Sequence, residues 1–357
     1  TLPRVTAYED FIAEGAEDYA WPVLDERSAA GLCYTSGTTG NPKGVLYSHR
    51  ALVLHAYGAL LPDVFGLRAV DSLMAVVPMF HAVAWGIPYM APAVGAKLVL
   101  PGGDLSGPTL HRLIREEGVT ISAAVPTVWL GLLNHLREAG GDLAPLKRVV
   151  IGGSAAPRSM IETFEDRYGV SVGHAWGMTE MSPLGTLNTP TADVLELDRQ
   201  GQLDVACKQG RAVVGVELRI ADDDGRDLPW DGKSSGHLLV RGHWVVKRYF
   251  KEDHDAVDSD GWFDTGDVAH IDPNGFLQIT DRAKDIIKSG GEWISSIDLE
   301  NAAMAHPDVA EAAVIGIPHE KWGERPLLVV VPRKGSAIDR KGMIDFLATR
   351  VARWWLP

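Results

Sequence analysis

Hydroxyls, glycines and a lysine crowd one short stretch of this sequence, YTSGTTGNPKGV at residues 34–45. Thr35, Ser36, Thr38 and Thr39 bring side-chain O–H groups, Gly37, Gly40 and Gly44 leave the backbone bare, and Lys43 adds a charge. Closely spaced N–H and O–H donors can follow a chain of phosphates, and a missing Cβ lets the backbone come close to it. The spacing is not that of the GxxxxGK loop followed by Ser or Thr, because Lys43 lies between Pro42 and Gly44. On these residues alone the stretch reads as a phosphate cradle at a glycine turn. The plainer alternative is a Ser/Gly turn without a ligand.

Such a loop works only if the chain behind it folds to hold it. The 357 residues are 46% apolar and 23% charged, enough for one large domain or two to three smaller ones. With 47 acidic residues against 34 basic ones, the formal charge is −13. No Lys/Arg cluster is long enough to track a nucleic acid, so this balance excludes nucleic-acid or anionic-membrane binding as the main activity. Cys33 and Cys207 stand far apart without zinc-ligand spacing, which argues against a disulfide framework and suits a cytoplasmic location. No apolar run reaches about 18 residues, so no membrane span is expected. The acidic N-terminal stretch is not a secretory signal. The chain opens on Thr1 and stops at VARWWLP, and both ends read as cuts through a longer chain.

The elements follow from hydrophobic patterning and punctuation. Residues 50–61 predict a helix with Ser48 as its N-cap. Residues 73–77 and 97–100 read as buried strands. A helix (107–117), a strand (119–124), a helix (126–136), a strand (147–151), a helix (157–168) and a strand (170–175) follow, with Pro126 and Pro157 at helix starts. This alternation predicts a largely parallel sheet covered on both faces, with ligands at the loops leaving its strands. From about residue 205 to 281 the texture turns to strands, at 213–220 and 237–240, around the turn-rich DDDGRDLPWDGKSSG. Residues 280–284 read as a junction. Beyond it a helix (296–305), strands near 310–315 and at 327–331, and a helix from Arg340 form an α+β module.

At this point the sequence is identified as resembling the adenylate-forming superfamily of acyl-CoA synthetases, luciferases and peptide-synthetase adenylation domains. The stretch at 34–45 resembles its signature loop. GGSAAP (152–157) resembles its adenine-side loop, HAWGMTE (174–180) its aromatic-Gly-x-Thr-Glu motif, and GWFDTGD (261–267) its ribose-binding segment. TDRAKDIIKSGGEWIS (280–295) resembles the hinge and the start of a mobile domain, and PMFHAVAWG (78–86) the acyl-pocket motif. Together these segments span nearly the whole chain in the family's order. The resemblance implies an α/β fold: a large N-terminal domain at 1–283, partial, with α/β layers and a β subdomain, then a small, truncated, mobile α+β domain at 284–357. Within the superfamily, HAWGMTEMSPLGT and IKSGGEWISSIDLEN most resemble bacterial medium-chain fatty-acid and 3-methylmercaptopropionate CoA ligases.

The resemblance also implies roles for individual residues, with ATP, Mg²⁺ and CoA as cofactors and co-substrates. Thr35 to Gly40 and Lys43 would hold the ATP phosphates. Gly153, Ser154, Ala155, Trp176, Gly177 and Met178 would border the adenylate. Thr179 would donate to the α-phosphate and Glu180 would ligate Mg²⁺, since a hard cation prefers carboxylate oxygen; both count as catalytic. The plain reading of a Thr-Glu pair is a helix cap. Asp267 would accept from both ribose hydroxyls, its plain alternative being an Asx-turn. Arg282 would add a ribose or phosphate contact, its alternative being a solvated interdomain salt bridge. His81 and Trp85 would border the acyl pocket, on one face if their segment is helical; an aromatic at that spacing is otherwise core. Lys284 would be the hinge, and Lys288, Ser289, Gly290, Gly291 and Trp293 would line the CoA path.

One departure stands out: the family's Gly-Lys motif near the C-terminus lies beyond Pro357, and Lys341-Gly342 is the reverse order. The expected activity is conversion of a mostly apolar carboxylic acid, ATP and CoA to an acyl-CoA through an acyl adenylate. An amino-acid-activating domain is one alternative, although PMFHAVAWG carries no acid to bind a substrate ammonium. A non-catalytic adenylate-binding fragment is another. The partners expected are small molecules, with a homodimer left open.

Overall fold

The computed structural model describes residues 5–16, 18–35, 42–283, 285–290, 292–333 and 335–357. Among them, seven strands form the central sheet. Their spatial order is Lys97–Val99, Ser72–Ala75, Ile121–Ala124, Arg148–Ile151, Ser171–Gly177, Leu184–Leu187 and Arg211–Ala212. The first five run parallel and the last two antiparallel. Ser72–Ala75 and Ile121–Ala124 are buried at every position, as strands covered on both faces must be. Side chains alternate between those faces. Leu73 and Ala75 join one apolar cluster with Tyr47, Leu52 and Met90, whereas Met74 and Val76 join another with Leu110, Trp129 and Phe164. Each face therefore carries its own core, and the sheet between them is held rigid.

The helix His49–Leu60 begins as expected, with the Ala51 N–H donating to Ser48 Oγ at 3.1 Å. Several other elements differ from expectation. The helix expected at 157–168 is α-helical only over Arg158–Glu162 and then widens to a π-turn at Thr163–Arg167. There the Thr163 hydroxyl bonds the Ser159 carbonyl at 2.6 Å, a side-chain bond that competes with the backbone ladder. Pro157 stands just outside as the cap, with φ −60° and ψ 136°, rather than in the first turn. The strand expected at 73–77 ends at Ala75, and that expected at 170–175 runs on to Gly177.

Next comes a four-stranded antiparallel meander: Val216–Ala221, Gly236–Gly242, Phe263–Ile271 and Leu277–Arg282. Its last two strands went unread because Asp and Gly interrupt their alternation. A second four-stranded sheet follows, in the order Glu292–Ile294, Ile287–Ser289, Gly323–Pro332 and Val309–His319, with helices Ser296–Met304 and Arg340–Leu347 packed on it. Its long hairpin exceeds the expected spans, with Pro318 and Pro326 inside its two strands. The two sheets are tied where Ser295 Oγ donates to the Thr280 carbonyl and the Ser296 N–H to Asp281 Oδ2 (2.6 Å).

Candidate functional site

A cavity of about 490 Å³ opens where the parallel strands Arg148–Ile151 and Ser171–Gly177 end, the expected end of such a sheet. Thr35 and Lys43 reach it from a two-stranded ribbon, Ala29–Thr35 against Lys43–Ser48, which sets Thr35 opposite Lys43. Ser36, Gly37, Thr38, Thr39 and Gly40 lie outside the described residues. Across the cavity, Trp176, Gly177, Met178, Thr179 and Glu180 form a continuous wall. Gly177 is required there: a Cβ would fall 2.2 Å from the Pro183 carbonyl oxygen.

Thr179 and Glu180 do not cap a helix. They occupy a single 3₁₀ turn, both buried, and their positions are set by two tyrosines. The Tyr47 hydroxyl donates to the Thr179 carbonyl at 2.7 Å, and the Tyr249 hydroxyl to Glu180 Oε1 at 2.8 Å. The Val246 N–H donates to the Glu180 carbonyl at 2.7 Å. Burial, reinforced at Tyr47 by Cys33 and then Glu180 and at Tyr249 by Glu180, pushes both phenols well above their ordinary range, so both stay protonated donors. Lys43 Nζ lies 4.7 Å from the centre of the Tyr249 ring.

Asp267 is 2% exposed and lies behind the wall. Trp176 Nε1 donates to its Oδ2 at 3.0 Å, and Arg282 Nε forms an ion pair with its Oδ1 at 3.0 Å. Both oxygens that were expected to meet a ribose therefore already hold protein donors. Burial pushes this carboxyl up to about 6, with Arg282 and Trp176 pulling the other way. The Asx-turn belongs to Asp264, whose Oδ1 accepts the Gly266 N–H at 2.9 Å. Arg282 is about half exposed, lines the cavity, and pairs within its own sheet rather than between domains.

Gly153 lines the cavity, whereas Ser154 and Ala155 are exposed on the same loop, away from the wall. That loop is pinned where the Ala156 N–H donates to His174 Nε2 at 3.2 Å. His81 and Trp85 both line the cavity, but not from one face of an ordinary helix. Residues Ala82, Val83, Ala84 and Trp85 have φ of 45°, 50°, 49° and 57°, a left-handed turn that i, i+4 spacing does not describe. Trp85 packs so closely on Gly152 that a Cβ there would stand 3.1 Å from its ring. Behind this wall His55 accepts the Leu184 N–H at 3.2 Å, and burial lowers its pKa to about 4, keeping it neutral.

The residues expected on the CoA path stand away from the cavity. Lys288 pairs with Trp293 across the hairpin, its ammonium 5.6 Å from the indole, and Ser289 Oγ accepts from Arg325 at 3.1 Å. A Cβ on Gly290 would meet the Trp322 ring at 2.8 Å. Lys284 and Gly291 lie outside the described residues. Sequence reasoning missed Tyr47, Tyr249 and the apolar lining of Phe65, Val150 and Leu184. Only the register of Tyr47 on a strand beside the phosphate loop could have pointed to it.

Among the described residues no three or more His, Cys, Asp or Glu converge on a metal position. A single buried carboxylate facing a cavity suits Mg²⁺ that arrives with phosphates, since that ion keeps most of its ligands as water and phosphate oxygen. The site fits such an ion and not a caged one. No helix among the described residues is long and apolar enough to cross a membrane.

Comparison with known proteins shows the family. Residues 4–250 match the AMP-binding enzyme family, and residues 298–357 match the AMP-binding enzyme C-terminal domain. The chain is 55% identical over 356 residues to the medium-chain-fatty-acid–CoA ligase of Ectopseudomonas oleovorans, covering 100% of this chain and 65% of that protein. It is 54% identical over 356 residues to the 3-methylmercaptopropionyl-CoA ligase of Ruegeria lacuscaerulensis, covering 100% of this chain and 66% of that one. The chain thus spans about two thirds of the length of these relatives. The o-succinylbenzoate coenzyme A synthetase of Bacillus subtilis, solved with ATP and a magnesium ion, superposes with a TM-score of 0.83 at 28% identity, covering 98% of this chain and 69% of that one.

Proposed function

The chain belongs to the AMP-binding enzyme family, and from that premise we propose that it carries the ATP and acyl sites of an acyl-CoA ligase acting on a medium-length, mostly apolar carboxylic acid. The observation that carries this reading is the placement of Thr179 and Glu180, fixed by buried tyrosines, across one cavity from Thr35 and Lys43. The carboxylate of the acid attacks the α-phosphorus of ATP, and pyrophosphate leaves. The CoA thiol then attacks the acyl carbonyl, and AMP leaves in place of hydroxide, a far poorer leaving group.

Each side chain has a task in this scheme. The Thr179 hydroxyl donates to the α-phosphate as charge builds there, and Lys43 meets the outer phosphates. Glu180 would hold a magnesium ion arriving with ATP, whose charge would offset the repulsion between two anions. Phe65, Val150, Trp85 and Leu184 give the acid an apolar wall. Asp267 and Arg282 serve the ribose once their mutual pair opens. We take 284–357 as the mobile domain, with Lys284 as its hinge and Lys288, Ser289, Gly290, Gly291 and Trp293 bordering CoA after it rotates.

The test is a CoA-thioester assay of the full-length gene product with acids of graded chain length. An optimum among medium-length apolar acids is expected. Activity confined to amino acids, or no ATP-dependent thioester with any acid, would overturn the reading.

A further inference from the structure

The segment from Trp244 to Phe250 touches both halves of the phosphate side of the cavity. The Val246 N–H donates to the Glu180 carbonyl and the Phe250 N–H to the Gly44 carbonyl, each at 2.7 Å. Ser182 Oγ donates to the Trp244 carbonyl at 2.9 Å, and Trp244 Nε1 to the Leu184 carbonyl at 3.0 Å. These bonds register the end of the ribbon at Lys43 and Gly44 against the turn at Thr179 and Glu180, which are over 130 residues apart in sequence. Tyr249 stands at the centre of this strap. Its hydroxyl reaches Glu180 Oε1 at 2.8 Å, and its ring lies 4.7 Å from Lys43 Nζ.

An ammonium and a carboxylate brought together in a partly buried cleft attract strongly, and a direct pair would consume both. The phenol offers each a separate seat, the ring face for the cation and the O–H for the anion. It fills only Oε1, so the other carboxylate oxygen stays available. We propose that Tyr249 is a positioning residue that keeps Lys43 and Glu180 apart and aimed, Lys43 at the phosphates and Glu180 at the divalent cation accompanying ATP. This rests on the ATP-site reading above and adds to it a cavity-lining residue that acts through Lys43 and Glu180.

The experiment compares wild type, Tyr249→Phe, Tyr249→Leu and Glu180→Gln by two binding measurements on the 357-residue chain. One is the affinity for a non-hydrolysable ATP analogue without metal. The other is the affinity for Mn²⁺ at saturating analogue, read by electron paramagnetic resonance of free Mn²⁺. Tyr249→Phe should weaken Mn²⁺ binding about 10-fold, the worth of a hydrogen bond to a charged group, and leave metal-free nucleotide affinity within about twofold. Tyr249→Leu should weaken both, because Lys43 loses its ring. Glu180→Gln should weaken Mn²⁺ at least as much as Tyr249→Phe. A merely structural role for Tyr249 would lower both affinities together in Tyr249→Phe, and that result overturns the proposal. Wild-type Mn²⁺ binding in Tyr249→Phe with a weakened Glu180→Gln overturns the role of Tyr249 alone. Wild-type binding in Glu180→Gln overturns the metal assignment and the proposal with it.

Discussion

Glu180 lines the cavity while Asp267 is buried behind its wall, and the surroundings of these two carboxylates differ in kind. Glu180, 5% exposed, receives a neutral phenol on one oxygen. Asp267, 2% exposed, receives a guanidinium on one oxygen and an indole N–H on the other. A carboxylate with one neutral donor keeps most of its charge and its coordination capacity. One that is paired with arginine and also hydrogen-bonded has already spent both. The first is suited to take up a cation from solution, the second to exchange one partner for another. Arg282, with a side chain 45% exposed, is the partner free to leave, since water can receive it at little cost.

The difference is sharpest under substitution. Glu180→Gln removes the charge while keeping an acceptor for Tyr249, and acid-dependent pyrophosphate exchange by the complete enzyme should fall on the order of 10²-fold or more. Unchanged exchange would place the metal elsewhere and erase the contrast. Asp267 should announce itself through pH instead. Its folded pKa of about 6 lies above the ordinary value of about 3.9. The folded state therefore binds the proton more tightly, and the associated stability is fully present below about pH 3.9 and lost as pH rises through about 6. Between pH 4 and 7, wild type should lose about 2 kcal/mol relative to Asp267→Asn in urea denaturation. Asp298, also pushed up to about 6 by burial, titrates in both proteins and cancels in the difference. Parallel profiles would show that Asp267 is not the strained carboxylate.

Much of this arrangement was legible in the sequence, for reasons that also mark where reading stopped. The parallel sheet could be read because its strands are continuous apolar runs set off by Pro, Gly and Asp. The wall from Trp176 to Glu180 could be read because its residues form one contiguous motif that carries the family resemblance. Tyr249 could not, because its meaning lies in a hydrogen bond 69 residues back along the chain, and RYFKEDH carries no pattern of its own. The turn at Ala82 to Trp85 was hidden for another reason. Nothing in AVAW favours positive φ, and packing of Trp85 on Gly152 and of His55 on Gly86 holds the turn in place. The pairing of Asp267 with Trp176 was likewise invisible, since the two are 91 residues apart and each was assigned to a nucleotide.

The smallest expected effect separates the two carboxylates from the scaffold beneath them. Tyr47 donates to the backbone carbonyl of Thr179 and not to the Glu180 carboxylate, so it fixes where the turn lies without seating a carboxylate oxygen. Tyr47→Phe leaves a buried carbonyl short of one partner and should cost about 1 kcal/mol in urea denaturation. The loss should be the same at pH 5 and pH 8, because the phenol is held protonated throughout by burial. Mn²⁺ affinity should stay within about twofold of wild type, in contrast to the loss expected for Tyr249→Phe. A metal-affinity loss in Tyr47→Phe equal to that in Tyr249→Phe would mean that the turn moves as one body. The distinction between holding the backbone of Thr179 and aiming the carboxylate of Glu180 would then disappear.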